Sequence, residues 1–178
     1  MVRKIALDAG IHATLMPKPL DKGQGSGMHT HMSLFEGDVN AFHDSGDPMG
    51  LSDTARKFMA GVLHHAPEFT AVTNQLVNSY KRMIAGYESP VYVSWARNNR
   101  SALVRVPVHK AGKASSTRIE YRALDSAANP YLAYSVILAA GLKGIEESYE
   151  LPSEADDNLW SVNRAEARSS GLRQLPQD

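Results

Sequence analysis

From Met28 to Ser33 the chain alternates, so a period of two puts His29, His31 and Ser33 on one face of a strand and Met28, Thr30 and Met32 on the other. The same period returns at Arg118-Ile119-Glu120-Tyr121-Arg122, where Arg118, Glu120 and Arg122 share a face with Ile119 and Tyr121 behind them. Residues 102–108 read as a further strand with Arg105 inside it, and residues 13–17 as a short one.

Elsewhere the spacing is helical. Val2, Ile5, Ala6 and Ala9 follow a one-sided 3/4 pattern that Gly10 stops. A helix that opens a chain with no cap before it suggests a cut. Ser52 caps a second helix whose Ala55, Phe58, Met59, Val62 and Leu63 keep the helical period until Pro67, leaving His64 and His65 at its end as partners of the helix dipole. Asn129-Pro130 opens a third, with Asn as cap and Pro at the first helical position. Residues 131–145 are apolar on nearly all sides, as suits a core helix, and the longest apolar run within them, 131–142, is too short to cross a bilayer.

Between these elements, residues 17–19 form an extended connector, and residues 36–50, rich in Gly, Asp, Asn and Pro, form a surface loop. Residues 78–90 lack a clean period and read as a loop of functional makeup. Beyond Tyr149 the chain turns polar, with Trp160 as an anchor on the core.

Composition narrows the class without choosing a function. With 43% hydrophobic residues in 178, the chain can bury a sizeable core as one domain. The 19 basic and 19 acidic residues cancel, so no global field gathers nucleic acid or an anionic membrane, and any anion is held by a local cluster. Cysteine is absent, which excludes disulfides and thiolate metal sites and is compatible with a cytoplasmic setting.

The candidate chemistry starts at Gly23-Gln24-Gly25-Ser26-Gly27, a turn whose missing Cβ atoms would let backbone N–H groups approach an anion before the chain enters the His29/His31 strand. A histidine strand with one wet face needs no ligand, and the Arg118/Glu120/Arg122 face on an exposed sheet would be only an ion-pair ladder of roughly 0.2–1 kcal/mol per pair. Facing a cleft, the same residues would let one carboxylate hold a divalent cation while two guanidiniums hold the phosphate or carboxylate beside it.

With these residues in view, the chain resembles the catalytic domain of bacterial glutamine synthetase, the ATP-dependent glutamate-ammonia ligase. Four blocks in the family's order carry the resemblance. They are Met16-Pro17-Lys18-Pro19 with Gly25-Ser26-Gly27-Met28-His29-Thr30-His31; Asn78-Ser79-Tyr80-Lys81-Arg82; Asn99-Arg100-Ser101-Ala102 through Arg105; and Arg118 to Arg122 followed by Asp125-Ser126 and Asn129-Pro130-Tyr131-Leu132.

The resemblance implies an α+β fold in which an antiparallel sheet lines an active-site cleft with helices outside, and it covers residues 1–178 as part of that domain. It implies ATP and Mg2+ (or Mn2+), with His29 and Glu120 as metal ligands. It further implies Gln24, Gly25, Arg82, Glu88 and Arg122 at glutamate, and His31, Ser33, Arg100, Arg105 and Arg118 at the nucleotide. Lys113, two residues further from Glu120 than in the usual pattern, would be another nucleotide contact. Glu88 would be the flap carboxylate that deprotonates bound ammonium, with Arg100 and Arg122 as the further catalytic groups.

Three departures point to a divergent branch that includes γ-glutamyl ligases acting on amines: Gln24 in place of asparagine, Ala85 in place of a proline, and Trp160 where some members carry an adenylylated tyrosine. A catalytically silent member is the rival reading, opposed by the retention of His29, Glu88, Arg100, Glu120 and Arg122. A sugar- or RNA-binding module lacks the basic aromatic surface it would need. The family's full-length enzymes imply a ring-forming homo-oligomer, with the N-terminal domain and the strands bearing the second metal's glutamates outside this chain. By itself the chain is therefore expected to be inactive.

Overall fold

The computed structural model describes every residue except 85–87, 109–111, 156–158, 160, 163 and 178 and the side chain of Arg164. The departures at Ala85 and Trp160, and the anchoring role expected of Trp160, lie outside the described residues. The elements run α1 (Val2–Asp8), β1 (Thr30–Met32), β2 (Phe35–Glu36), β3 (Val39–Asn40), α2 (Asp53–Thr73), α3 (Val77–Arg82), β4 (Trp95–Ala96), β5 (Val104–Arg105), a 3₁₀ turn (Ala114–Ser116), β6 (Ile119–Tyr121), α4 (Pro130–Glu146) and α5 (Arg164–Ser169).

The architecture is α+β, as expected. The main sheet has the order β1-β6-β5-β4, and its two ladders around β6 are antiparallel while β4 and β5 run parallel. β6 is central, with His31 opposite Glu120 on one side and Arg105 opposite Glu120 on the other. Its alternation is the one read from the sequence. Ile119 and Tyr121 are fully buried in the core, Tyr121 with its ring 5.7 Å from that of Phe69, and Glu120 faces away from them.

Helices α2 and α4 form the layer behind the sheet, and backbone packs directly on backbone where they cross. A Cβ on Gly61 would lie 2.2 Å from the Ala140 carbonyl oxygen, and one on Gly144 would lie 2.2 Å from that of Lys57. Only glycine at both places permits this approach. The expected caps are present: Ser52 Oγ accepts the Ala55 N–H at 3.1 Å and Asn129 Oδ1 accepts the Tyr131 N–H at 3.0 Å. Gly10, at φ +70°, ends α1 as expected, with the Ile11 N–H bonding the Ala6 carbonyl at 2.9 Å.

Several expectations are corrected. Pro67 does not end α2, which continues to Thr73. The proline removes the donor for the Leu63 carbonyl, and Arg173 Nη2 supplies a substitute at 3.1 Å. His64 and His65 therefore sit inside the helix rather than at its C-terminus. His65 Nδ1 pairs with Glu68 at 2.7 Å, and the Tyr149 ring stands 4.9 Å from that of His64.

α4 is buried on one side only. Ala133, Ile137, Ala140, Gly141 and Gly144 are its buried residues, while Tyr131, Leu132, Tyr134, Leu138 and Leu142 remain exposed. Among the described elements, α2 is the one packed most extensively on it, and it covers one side.

Residues 36–50 contain most of a β2–β3 hairpin, because Gly37 at φ +59° makes a two-residue turn between Glu36 and Val39. Residues 13–17 form no strand, and the Pro17 carbonyl bonds the Ser26 N–H at 2.7 Å instead. The expected strand 102–108 is paired only at β5. The first part of 78–90 is helical: α3 buries Ser79 and Arg82 on one side and carries Lys81 and Arg82 in its last turn, where the dipole favours them.

Residues beyond Tyr149 fold back on the chain, with the Val93 N–H bonding the Arg173 carbonyl and the Leu175 N–H that of Val91, each at 2.8 Å. Among the described residues, no helix is long and apolar enough to cross a membrane.

Candidate active site

The site lies on the face of β1, β6 and β5 turned away from Ile119 and Tyr121. Its centre is Glu120, whose side chain is 3% exposed. Glu120 Oε1 is 2.9 Å from His29 Nδ1, 3.5 Å from Arg122 Nη1 and 3.9 Å from His31 Nε2, and Oε2 accepts from Arg105 Nε at 2.5 Å. Burial alone would raise this carboxyl. The bonds from His29 and Arg105 and the charges of Arg105 and Arg122 outweigh it and hold Glu120 at about 2, so it is ionised at neutral pH.

His31 is shifted down, chiefly by burial, with Glu120 opposing and the charges of Arg118, Arg105 and His29 reinforcing the shift. It is therefore neutral at pH 7, and its Nδ1 accepts from Arg118 Nε at 3.2 Å. Arg122 is lowered by burial first, then by Arg105 and Arg100, against the pull of Glu120 and Glu88. Its Nε is buried and has no hydrogen-bond partner among the described residues. One carboxylate thus faces several guanidiniums, and a donor is left over. Such a surplus of fixed positive charge is suited to an anion.

The glycine loop borders a second part of the site. Gln24, Gly25, Gly27, His29, Arg82, Glu88 and Ser89 line a cavity of about 160 Å³. The glycines serve packing more than ligand approach, which revises the reason inferred for them. A Cβ on Gly25 would lie 2.6 Å from the Pro17 carbonyl oxygen and 2.7 Å from Arg82 Cγ, and one on Gly27 would lie 2.6 Å from Arg82 Nη2. Arg82 fills the space beneath the loop. Its Nη1 donates to the Ala123 carbonyl at 2.8 Å and its Nη2 to that of Arg122 at 3.2 Å, and burial pushes it down to about 10, with Asp125 opposing. Lys18 ties the loop further, donating from Nζ to the Gly23 carbonyl.

The structure gathers His29, His31, Arg105 and Arg122 around the Glu120 carboxylate, with Arg118 bonded to His31, and Gln24, Gly25, Arg82 and Glu88 around one cavity, which His29 also lines. Ser33 and His31 border a more apolar chamber of about 410 Å³ with Phe42, Phe58 and Leu138. Arg100 is exposed and acts on Arg122 through its charge. Lys113 is exposed at the entry to the 3₁₀ turn and takes no part in the ion pairs of Glu120 among the described residues. Sequence reasoning missed Ser89, and it gave Asp125 no role. Asp125 is fully buried, accepts from Asn74 Nδ2 at 3.2 Å and attracts Arg82; its place in the fourth sequence block was the available signal.

His29 Nδ1 and Glu120 Oε1 are close enough to share one cation, and an imidazole with an ionised carboxylate is a fitting donor pair for a divalent ion. The family model described as "Glutamine synthetase, catalytic domain" matches residues 1–178. The chain belongs to this family. A glutamine synthetase of Mycolicibacterium smegmatis is 56% identical over 176 residues, covering 99% of this chain and 40% of the relative. One of Staphylococcus aureus is 50% identical over the same length, covering 39% of that relative. Among solved structures of similar proteins, GmaS without ligand aligns with a TM-score of 0.83 at 39% identity, and a GmaS/ADP complex with 0.85 at 38%. Each covers 99% of this chain, which in turn spans 39% and 40% of those two chains. The chain thus spans about 40% of the length of the curated relatives it matches.

Proposed function

We propose that this chain carries the catalytic face of an ATP-dependent ligase that joins ammonia to the γ-carboxylate of glutamate through γ-glutamyl phosphate, the reaction of a glutamine synthetase. The observation that carries the reading is Glu120, buried and ionised among His29, His31, Arg105 and Arg122, with the Arg122 Nε left over. Family membership over residues 1–178 supports it.

His29 and Glu120 would hold a Mg2+ or Mn2+ ion, which when bound neutralises charge on the nucleotide phosphates. Arg105 and Arg122, with Arg100 beside them, would hold the oxygens of the phosphoryl group as negative charge spreads over them. His31, Ser33 and Arg118 would border the nucleotide, with Lys113 as a further contact. Gln24, Gly25 and Arg82 would seat glutamate.

Glu88, at the cavity mouth, would take a proton from ammonium, and the free amine would attack the acyl carbon as phosphate leaves. Closure of the loop around Glu88 would keep water from the acyl phosphate. The family's cytoplasmic, ring-forming homo-oligomer belongs to the same proposal, and the exposed apolar side of α4 supports a larger assembly.

A second reading, ligation of glutamate to a small amine, is favoured by Gln24 and by the likeness to GmaS. Both readings share the acyl phosphate. Hydroxylamine traps such an intermediate as a hydroxamate, so the full-length protein should form γ-glutamyl hydroxamate only with glutamate, ATP and Mg2+ together. Hydroxamate formation without ATP would overturn both.

A further inference from the structure

We infer that Ser89 is a substrate-binding residue whose hydroxyl receives an N–H of the acceptor ammonium or small primary amine. The inference deepens the ligase reading and rests on it. Ser89 is 2% exposed, and its Oγ is buried with no hydrogen-bond partner among the described residues. A buried hydroxyl without a partner carries a desolvation cost that the free protein does not recover. Its position gives that cost a use. Ser89 adjoins Glu88, and both line the cavity of about 160 Å³ with Gln24, Gly25, Gly27, His29 and Arg82.

The polar groups of this cavity divide by chemistry. Arg82 and the loop N–H groups are donors and suit the carboxylates of glutamate. The side-chain oxygen acceptors are the Glu88 carboxylate, the Gln24 amide oxygen and the Ser89 hydroxyl. Gln24 Oε1 already receives the Glu88 N–H at 3.3 Å. An acceptor such as ammonium brings only donors, so it needs oxygen atoms around it. Glu88 provides one side, where the proton is taken, and Ser89, lining the same cavity, provides its Oγ as a second. The remaining N–H is then held while the nitrogen lone pair is freed toward the acyl carbon. A primary amine keeps enough N–H groups for both contacts, whereas a tertiary amine does not.

The test is steady-state kinetics of the full-length protein and its Ser89→Ala and Ser89→Thr variants, varying ATP, glutamate and acceptor (ammonium and methylamine) in turn, with the ligand-free melting temperature of each. Loss of a hydrogen bond to a charged group should raise the acceptor KM of Ser89→Ala about tenfold, with the KM values for ATP and glutamate within about twofold. The ligand-free melting temperature should hold or rise, because an unsatisfied group has been removed. Ser89→Thr, which keeps a hydroxyl, should recover most of the acceptor KM. An unchanged acceptor KM in Ser89→Ala would overturn the inference. So would a lowered melting temperature with all three KM values raised together, the signature of a structural role. Failure of the ligase reading is a different result: wild-type protein that releases no phosphate with any acceptor, which removes the basis for assigning Ser89.

Discussion

The side-chain amide oxygen of Gln24 accepts the backbone N–H of Glu88 at 3.3 Å, joining the glycine loop to the segment that carries the proposed proton acceptor. Gln24 also stands where the resemblance to the family implies an asparagine. Its extra methylene lengthens the reach of the amide toward Glu88.

Replacing Glu88 by Ala should slow amide formation by about 10²–10⁴-fold, the usual worth of a positioned acid or base, while nucleotide affinity stays within about twofold. Turnover and ADP binding measured on the same full-length variant check this. Equal losses in both would assign Glu88 to the nucleotide instead.

Gly61→Ala should destabilise the protein by about 1–3 kcal/mol, the usual cost of overpacking. The added methyl would lie 2.2 Å from the Ala140 carbonyl oxygen and 2.8 Å from the Gly144 nitrogen, both backbone atoms that cannot rotate away. Urea unfolding compares the two proteins, and equal midpoints would mean that α2 and α4 cross further apart.

Asp47 should make folding acid-sensitive. Burial pushes its carboxyl up, but the Leu51 N–H, the Arg56 guanidinium and the Met49 N–H outweigh this and hold it below its ordinary 3.8. A folded pKa below the unfolded one means that the stabilisation is complete above pH 3.8 and fades as pH falls through the lower folded value. Melting temperatures of wild type and Asp47→Asn, compared from pH 6 downward, should keep their difference above pH 3.8 and converge as pH falls below it. A gap that stays constant would place the effect of Asp47 in shape rather than charge.

What the sequence disclosed was local. Period-two alternation placed Ile119 and Tyr121 in the core and Glu120 among the cations, and the Ser52, Asn129 and Gly10 signals marked helix ends, because each depends on residues close in the chain. What it concealed depends on distant partners. Pro67 reads as a stop until Arg173, 110 residues from Leu63, supplies the missing donor. α4 reads as fully buried because its composition says nothing about how many neighbours cover it. The loop glycines suggest an open cradle, yet Arg82 occupies it, and Ser89 has no motif that marks its unsatisfied hydroxyl.

In the proposed reaction one ionised carboxylate, Glu120, organises cation and phosphates for glutamate activation. Phosphate release from the full-length protein with ATP, glutamate, Mg2+ and a panel of ammonium and several amines, in wild type and Glu120→Gln, decides whether it does. Release should require all of glutamate, ATP, Mg2+ and an acceptor, and should fall by at least about 10²-fold in Glu120→Gln, because the neutral amide gives up the charge that would hold the ion and that pairs with Arg105. Release by Glu120→Gln at the wild-type rate, or release by wild type that is indifferent to glutamate, would contradict it.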